Sequence, residues 1–305
     1  MSKTNEHHNR LPKRSLLLLT VFFVAAYIIM RSLPVEPCDF LHQQDTIGES
    51  EGLEYCGPGE SNFINLDDVR FPFRAEVLPK EKPVSGQLSK FELRLFNYKG
   101  EALSGEDVAV SHTQKIHLLC VDESLNDYQH VHPVEVAPGL FEFSITPSFG
   151  GTYKLFLDFI MMRSGGRVLL HNSFSVEGAP RIPSWDGVLQ AQSGDFSLAL
   201  KLPSGEEVLA GREQTIQLNV HNTLSGSPAK LEPVMGAFAH LVAFDESRTG
   251  FAHFHPLNQS NLSKDSSLSG LQFSFKLTDP GNYRLWAQVM LEGRERFVPF
   301  DLKVI

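Results

Sequence analysis

Hydrophobic and polar residues alternate with a period of two over several short stretches of the chain. FELRLFN at residues 91–97 and FEFSIT at residues 141–146 are two examples. A period of two puts successive side chains on opposite faces of a β-strand, so that one face is apolar and the other polar. Turn-forming pairs such as Pro138–Gly139 and Gly150–Gly151 stand between these stretches. Short strands at this spacing, with no amphipathic helix between them, predict an all-β fold of the sandwich type.

The succession of strand patterns occurs twice along the chain. Residues 85–97, SGQLSKFELRLFN, parallel residues 210–222, AGREQTIQLNVHN, with Gly, Leu and Asn at matching positions. Further on, residues 143–155, FSITPSFGGTYKL, parallel residues 273–285, FSFKLTDPGNYRL, with a shared Gly-x-Tyr triplet. We therefore predict an internal duplication, in which the tyrosine of each triplet is buried near the start of a strand.

The predicted domains are two immunoglobulin-like β-sandwiches arranged in tandem. The first covers residues 70–178 and the second covers residues 190–305, which is the size expected for such domains, about 100 residues each. Residues 179–189, APRIPSWDGVL, form the predicted linker between them. The hydrophobic content of 42% is enough to give each domain a core of its own.

One apolar stretch does not alternate and stands near the amino terminus. Residues 1–14 are polar and basic, and the run LLLLTVFFVAAYIIM follows at residues 16–30. This order is typical of an export signal, and with its flanks, residues 15–33, the run could span a bilayer. Because no small-residue cleavage site follows, we favour an uncleaved transmembrane helix over a cleaved signal. Basic residues before the helix predict that the rest of the chain lies outside the cytoplasm, which is the periplasm if the cell is Gram-negative.

Residues 34–69 form a polar preamble that contains Cys38 and Cys56. Outside the cytoplasm these two could form a disulfide. Closing a loop of about 18 residues would contribute roughly 3 kcal/mol in the chain-entropy model. Two free thiols, or a pair that binds a soft metal, is the alternative. The third cysteine, Cys120, matches Ala243 in the second copy, so we predict a small core residue there.

Charge is unevenly distributed along the chain. The net charge is −9, but residues 1–33 hold five basic residues and one acidic residue, which leaves 22 basic and 35 acidic residues in the remainder. A body this acidic is unsuited to the phosphate backbone of nucleic acids, so we expect no nucleic-acid partner. It is compatible with collecting cations, although acidic surfaces also serve solubility alone.

A histidine motif is the best-preserved part of the duplication. It reads HLLCVDESLNDYQHVHP over residues 117–133 and HLVAFDESRTGFAHFHP over residues 240–256, at a constant offset of 123. Three histidines, one aspartate and one proline coincide in the two copies. The coincident histidines and aspartates, which are the candidate metal ligands, are His117, Asp122, His130, His132, His240, Asp245, His253 and His255.

Each copy of the motif is predicted to form a β-hairpin. In the first copy, residues 115–121 are mostly apolar, residues 122–127 are turn-formers, and a short second strand follows over residues 128–133. Folding this hairpin about Ser124–Leu125 sets His117 opposite His132.

The same register brings Leu119 opposite His130, and in the second copy it sets His240 opposite His255. Cross-strand neighbours lie about 4.5–5.5 Å apart at Cβ, and residues two apart share one face of a strand. Three imidazoles should therefore converge in each hairpin.

Three imidazoles with a nearby carboxylate suit a borderline divalent metal ion, Cu(II) or Zn(II). We predict one ion per domain, with Asp122 and Asp245 either ligating it or orienting a ring N–H. His112 and Met235, five positions before the first histidine of each motif, are also residue types that can ligate copper. The leading interpretation is a membrane-anchored, extracytoplasmic metal-binding protein that handles copper.

Two other interpretations are open. The histidines could be buried residues that hydrogen-bond backbone carbonyls, which would make the protein a structural or interaction module of the cell envelope. A metal enzyme is the third interpretation, because an open coordination position on a bound ion would permit catalysis. The chain shows no nucleophile elbow and no phosphate-binding loop that would favour another kind of enzyme.

The chain resembles exported bacterial proteins that carry immunoglobulin-like sandwiches with a His…Asp…His-x-His-Pro hairpin. The resemblance covers about residues 70–305 and rests on both copies of the motif and on the Gly-x-Tyr triplets. More distantly, the chain is similar to YtkA-like domains and to the small β-sandwich copper carriers of the CopC type. These resemblances imply export and a sandwich fold. The CopC-type carriers use an N-terminal histidine, which a chain anchored at its amino end does not supply, so their mechanism is not implied.

Overall fold

The computed structural model describes residues 13–32, 62–203, 207–257 and 270–305. Helix α1 (Lys13–Ser32) belongs to one compact unit of the chain, and the strands belong to another. The strands form antiparallel sheets, which we call sheets I to IV in the order in which they are stacked. The prediction of an all-β body is confirmed.

Helix α1 coincides with the predicted anchor of residues 15–33. Its large apolar side chains from Leu17 to Ile29 are exposed. Among the described residues, no helix is both long and apolar enough to cross a membrane. Membrane anchoring and export stay predictions, as does the disulfide between Cys38 and Cys56, which lie outside the described residues.

The first sandwich is made of sheets I and II. Sheet I contains, in spatial order, β2 (Arg74–Pro79), β3 (Ser89–Phe96), β9 (Leu140–Ile145) and β8 (Val134–Ala137), with β4 (Ala102–Leu103) beside β3. Sheet II contains β11 (Arg167–Val176), β10 (Gly151–Met161), β6 (Ile116–Val121) and β7 (Tyr128–Val131), with β5 (Val108–Ala109) beside β10. A short 3-10 helix, Gly105–Asp107, precedes β5.

The second sandwich is made of sheets III and IV. Sheet III contains β1 (Ile64–Asn65), β16 (Gly250–Phe254), β15 (His240–Asp245), β18 (Gly281–Leu291) and β19 (Arg294–Val304). Sheet IV contains β12 (Gln190–Ser193), β13 (Phe196–Lys201), β14 (Glu213–Asn222) and β17 (Leu271–Lys276). Strand β1 comes from the predicted preamble, yet it pairs with β16 of the second sandwich.

The outer sheets follow the predicted alternation. In β3, Phe91, Leu93 and Leu95 are buried, whereas Lys90 and Arg94 are exposed and Glu92 is half-buried. The apolar face packs against sheet II, and the polar face meets solvent, as expected for an antiparallel sheet covered on one side.

The inner sheets are buried on both faces, because the two sandwiches pack together through sheets II and III. All six residues of β6 and all five residues of β16 are buried. In β6, Leu118 and Cys120 face the core of the first sandwich, whereas Leu119 and Val121 point the other way. The apolar layer between sheets II and III, here called the middle layer, consists of Leu66, Leu119, Val121, Leu125, Tyr128, Phe156, Leu169, Val242, Phe244, Phe251 and Trp286.

Arg284 is a buried charge at the edge of the middle layer. Its Nε lies 2.6 Å from Oδ1 of Asp301 in the same sheet. Its two terminal nitrogens donate to Asn126 Oδ1 in the first sandwich at 2.8 Å and to Ser184 O in the linker at 2.7 Å. One guanidinium therefore connects both sandwiches and the segment between them.

The tyrosines of the two Gly-x-Tyr triplets are buried, as predicted. The exposed fraction is 0% for Tyr153 and 2% for Tyr283. The hydroxyl of Tyr153 donates to Asp127 Oδ2 at 2.7 Å and accepts from the backbone N–H of Phe149 at 3.1 Å. The hydroxyl of Tyr283 makes one such bond, to the carbonyl of Asp279 at 3.0 Å.

We expect Tyr153→Phe to lower the free energy of unfolding by about 1–3 kcal/mol, because it leaves the Phe149 N–H without its acceptor. The matched variant Tyr283→Phe removes one bond to a carbonyl and should cost about 0.5–1.5 kcal/mol. Urea unfolding of both variants measures the difference. Equal losses would show that the second bond of Tyr153 contributes nothing.

Replacing Arg284 with Met should cost about 3–5 kcal/mol, because Asp301 is then a buried charge without its partner. The double variant Arg284→Met/Asp301→Asn removes both charges and should recover part of that loss. Urea unfolding of the single and double variants is the measurement. If both lose the same stability, the packing of Arg284 matters and its charge does not.

Candidate metal centre

The first histidine hairpin forms in the predicted register. Strands β6 and β7 pair with Leu119 opposite His130, and the ladder ends at Leu118 opposite Val131. His117 and His132 are the next residues beyond that last pair, one on each strand. The tight turn between the strands has Leu125 in the left-handed region, at φ 58°.

The second hairpin repeats this geometry in β15 and β16. Val242 lies opposite His253, and the ladder ends at Leu241 opposite Phe254. Arg248 occupies the same place in the turn as Leu125 does in the first hairpin, at φ 55°. The two hairpins therefore present their histidines at corresponding positions of sheets II and III.

The histidines of each hairpin converge into a triad. His117, His130 and His132 form the first triad, and His240, His253 and His255 form the second. Within each triad, one nitrogen from every ring lies within 4.8 Å of the others. Two residues of each triad are buried and the third is half-buried. Either triad could bind a metal ion.

The two triads meet at the end of the middle layer. His117 lies on the same face of β6 as Leu119 and Val121, because alternate residues of a strand share a face, so it faces sheet III. The ring centroid of His253 lies 5.7 Å from that of His130 and 6.2 Å from that of His117. The six histidines therefore belong to one group, although three come from each sandwich.

His112 adds a seventh ring to the group. It stacks on His255 of the second sandwich with a centroid separation of 4.3 Å, and it lies 5.9 Å from His117 of its own sandwich. We call the seven residues the histidine cluster: His112, His117, His130, His132, His240, His253 and His255.

Hydrogen bonds fix the tautomers of His117 and His130. Gln288 donates from Nε2 to Glu295, so its Oε1 is the acceptor that faces His130 Nδ1 at 3.0 Å. His117 Nε2 faces the carbonyl of Ser111, which can only accept, at 3.0 Å. In the neutral rings, the protons therefore sit on His130 Nδ1 and His117 Nε2.

The remaining nitrogens of these two rings direct lone pairs at each other. His117 Nδ1 and His130 Nε2 are 3.1 Å apart. Two lone pairs at this distance repel unless a cation lies between or beside them. Two Zn–N bonds of about 2.0–2.1 Å at a tetrahedral angle place their nitrogens about 3.3 Å apart, so the observed separation fits a shared metal ion.

The second triad contains imidazole nitrogens that lack a partner. His240 is fully buried, and neither of its ring nitrogens has a hydrogen-bond partner. His253 Nε2 and, in the first triad, His132 Nε2 are buried in the same way. Leaving a buried polar group unsatisfied costs about 1–3 kcal/mol, so these nitrogens are candidates to bind an ion, a water molecule or another ligand.

Burial keeps these imidazoles neutral. The pKa of His130 lies well below its usual range, and the pKa of His132 is lowered to about 4. Burial is the main cause of both shifts, and the neighbouring His117 is the second cause. The pKa values of His240 and His253 also lie well below their usual range, with burial as the main cause and His255 as the second. A neutral imidazole carries the lone pair that binds a metal, so these four rings are in their ligating form at pH 7.

The two predicted carboxylates lie elsewhere. Asp122 accepts from the backbone N–H groups of Asn126 at 2.8 Å and Asp127 at 2.9 Å, and so it stabilises the hairpin turn. Asp245 does the same for Ser247 at 3.1 Å. Each aspartate is five residues along the strand from the first histidine, or roughly 16 Å at about 3.3 Å per residue. The structure does not bring them to the triads.

Cys120 is a buried core residue, as predicted. Its side chain packs in the core of the first sandwich, on the opposite face of β6 from His117. Burial raises the pKa of its thiol well above the usual range, so the thiolate form that binds metals is disfavoured.

Sequence reasoning missed Ser111 and Gln288 as partners of the histidines, and it missed the meeting of the triads. Gln288 stands opposite His240 in sheet III, as Asp158 stands opposite His117 in sheet II. The offset of 130 that aligned the Gly-x-Tyr triplets also aligns these two residues. This alignment could have marked Gln288 as a neighbour of the motif.

Similarity to solved structures is low. A DUF4785 family protein from Legionella pneumophila subsp. pneumophila str. Philadelphia 1 is 13% identical over 77% of this chain, with a TM-score of 0.27. The bacterial integrin-binding protein invasin is 15% identical over 75% of this chain, with a TM-score of 0.23. The fibronectin(III)-like modules of Clostridium thermocellum CbhA are 10% identical over 76% of this chain and 93% of their own, with a TM-score of 0.20. This chain covers 55% of the Legionella protein and 39% of invasin.

No curated protein matches the chain. A family model described as a domain of unknown function, DUF8832, matches residues 74–177 and 192–305. These two segments contain both histidine triads and most strands of both sandwiches. The match is to this family and not to the YtkA-like or CopC-type proteins, so those resemblances stay predictions. Because the match extends over more than half of its residues, the chain belongs to the DUF8832 family.

Proposed function

We propose that the protein binds copper or zinc through its histidine cluster. The observation that carries this proposal is the set of buried imidazole nitrogens without a hydrogen bond in His132, His240 and His253, of which His240 has two. Neutral imidazoles suit Cu and Zn, whereas Mg, Ca and Mn prefer oxygen ligands. The ligands that we propose are His117, His130, His132, His240, His253 and His255.

Copper is the ion that we favour. At a given nitrogen site, Cu(II) binds more tightly than Zn(II) in the general order of divalent metals. Met235, which is half-buried at the turn corresponding to that of His112, is also a soft ligand suited to Cu(I).

Holding or transferring an ion fits the site better than converting an organic substrate. The cavity beside the cluster has a volume of about 10 Å³, and its lining includes His112, His117, His253 and His255. Such a space accommodates about one water molecule, whereas pockets for small organic ligands measure roughly 300–1,000 Å³.

We further propose that this metal-binding body lies outside the cytoplasm and is held at the membrane by residues 15–33. Support comes from the order of the basic segment and the apolar run, which is typical of export signals. The acidic body would then face a compartment from which it can collect cations.

A second candidate function is a non-catalytic envelope scaffold whose histidines are structural. Two hydrogen bonds favour it: His117 bonds the carbonyl of Ser111, and His130 bonds Gln288 across the two sandwiches. In that case the histidines would stabilise the interface between the sandwiches and bind no metal.

Replacing individual histidines distinguishes the two functions. Without metal, His240→Leu removes a buried ring whose nitrogens make no bond, so the melting temperature should be unchanged or higher. His130→Leu should instead cost about 1–3 kcal/mol, because Gln288 Oε1 loses its donor. Loss of a residue that only hydrogen-bonds a metal ligand lowers metal affinity about 10–100-fold. Both variants remove a ligand itself, so their affinity for Cu(II) and Zn(II) should fall by more than that.

The measurements are metal titration by calorimetry and thermal unfolding of the metal-free protein. His221→Leu is the matched control, because His221 lies on β14 in sheet IV, away from the cluster, and should leave metal affinity unchanged. Negligible affinity of the wild type, together with a large loss of metal-free stability in His240→Leu, would favour the scaffold.

Reporter fusions test the proposed location. An enzyme that is active only after export, fused after Ile305, should be active, and one that is active only in the cytoplasm should be inactive. Membrane fractionation of the same cells should recover the fusion in the membrane pellet. The reverse pattern of reporter activity would overturn the extracytoplasmic location.

A further inference from the structure

We propose that the two triads form a single binuclear metal centre shared by both sandwiches, and that His112 of the first sandwich is a ligand of the ion held by the second triad. This inference rests on the proposed function. It differs from the arrangement predicted by the two hairpins, in which each domain binds one ion independently.

The separation between the triads is only slightly larger than the separations within them. Centroids of neighbouring rings in the same triad are 4.6–5.3 Å apart. The shortest distance between triads, from His130 to His253, is 5.7 Å. Ions in the two triads would therefore lie in one continuous site and would share its walls.

His112 makes the link between the sandwiches direct. Its ring lies 4.3 Å from His255 and 6.5 Å from His253, both on the opposite sandwich. The distance to His255 is shorter than any between neighbouring rings of one triad, whereas the distance to His253 is longer. Rotation of the His112 side chain would turn one of its nitrogens toward the ion of the second triad.

The backbone holds His112 at this place under strain. His112 and Thr113 form a two-residue turn, closed by hydrogen bonds between Ser111 and Gln114 at 2.7 and 2.9 Å. Both turn residues are left-handed, at φ 48° and φ 69°. Asn-Gly or Gly-Gly is the usual choice for such a turn, and a β-branched threonine there is an outlier. Strained positions of this kind are concentrated at functional sites.

The corresponding turn of the second sandwich carries Met235 at φ 48° and Gly236 at φ 78°. It is closed in the same way, between Val234 and Ala237 at 2.7 and 3.0 Å. Gly236 adopts its positive φ without strain, whereas Thr113 does not, and the preceding residues His112 and Met235 share the same left-handed φ. Met235 stands in the second sandwich where His112 stands in the first, so the seventh imidazole of the cluster comes from the first sandwich.

Electrostatics makes the two ions interact. Among the described residues, neither triad includes a carboxylate, and neutral imidazoles do not cancel the charge of a divalent ion. The buried carboxylate of Asp158 lines the cavity beside His117, but it is already paired with Arg167. Two nearby cations in a buried site repel each other strongly. The second ion should therefore bind more weakly than the first, unless an anion from solvent bridges them.

Copper titration followed by electron paramagnetic resonance tests the inference with the full-length chain. At one equivalent of Cu(II), we expect the spectrum of an isolated ion with nitrogen ligands. At two equivalents, we expect dipolar broadening or loss of signal from spin coupling between two close ions. We also expect two binding steps, with the second at least tenfold weaker.

Variants identify the ligands. His112→Ala should weaken one binding step at least tenfold and change the spectrum of the two-ion state, although His112 belongs to neither triad. His132→Ala in the first triad should alter both steps, because the centre is shared. His221→Ala on β14 should behave as the wild type.

The outcomes separate the inference from the function on which it rests. Two equal steps with the summed spectra of isolated ions, or a His112→Ala variant with wild-type affinities and spectra, would overturn the shared centre and leave metal binding intact. Absence of any bound Cu(II) or Zn(II) would overturn both.

Discussion

The packing of sheet II against sheet III is the interaction on which the candidate site depends. Neither hairpin alone assembles the histidine cluster, because its members come from two sandwiches that meet through the middle layer. Aromatic contacts across this layer, such as Tyr128 with Trp286 at 5.6 Å and Phe156 with Phe251 at 5.3 Å, fix the distance between the sheets. The histidines continue the same strand faces beyond the apolar residues. Apolar burial therefore positions the polar site, and the site lies where the apolar layer ends.

The cluster combines two kinds of histidine environment. His117 and His130 each use one nitrogen for a protein hydrogen bond and leave the other free to bind. His240 uses neither nitrogen. In a purely structural role, a buried imidazole without partners would only reduce stability. If the cluster binds ions as proposed, the second triad should therefore gain more stability from its ion than the first.

Local sequence patterns were sufficient to predict the hairpins, their register and the convergence of each triad. Strand periodicity is a short-range property, so Leu119 opposite His130 could be derived from the turn and the spacing alone. The uninterrupted burial of β6, IHLLCV, also has a visible sequence signal, since a strand covered on both faces does not alternate.

The meeting of the triads could not be derived from local patterns. It depends on contacts between residues more than a hundred positions apart, such as His130 and Gln288, and no local pattern specifies which sheets will pack. Asp122 shows that a local pattern can also mislead. The Asp-Glu-Ser turn occurs in both copies, which suggested a metal ligand, but the carboxylate of Asp122 accepts backbone hydrogen bonds in the turn.

Strand β1 has a consequence for how the sandwiches stay together. It precedes the first sandwich in the chain, but it pairs with β16 of the second, as Ile64 opposite Phe251 and Asn65 opposite Gly250. The first sandwich is thus tethered to the second at both of its ends, by β1 on one side and by the linker on the other. If thermal motion opened the interface, the two halves would remain at a high effective concentration and would re-form it as an intramolecular reaction. Reassembly after opening should therefore be independent of protein concentration, and exchange of one sandwich with a second molecule should be disfavoured.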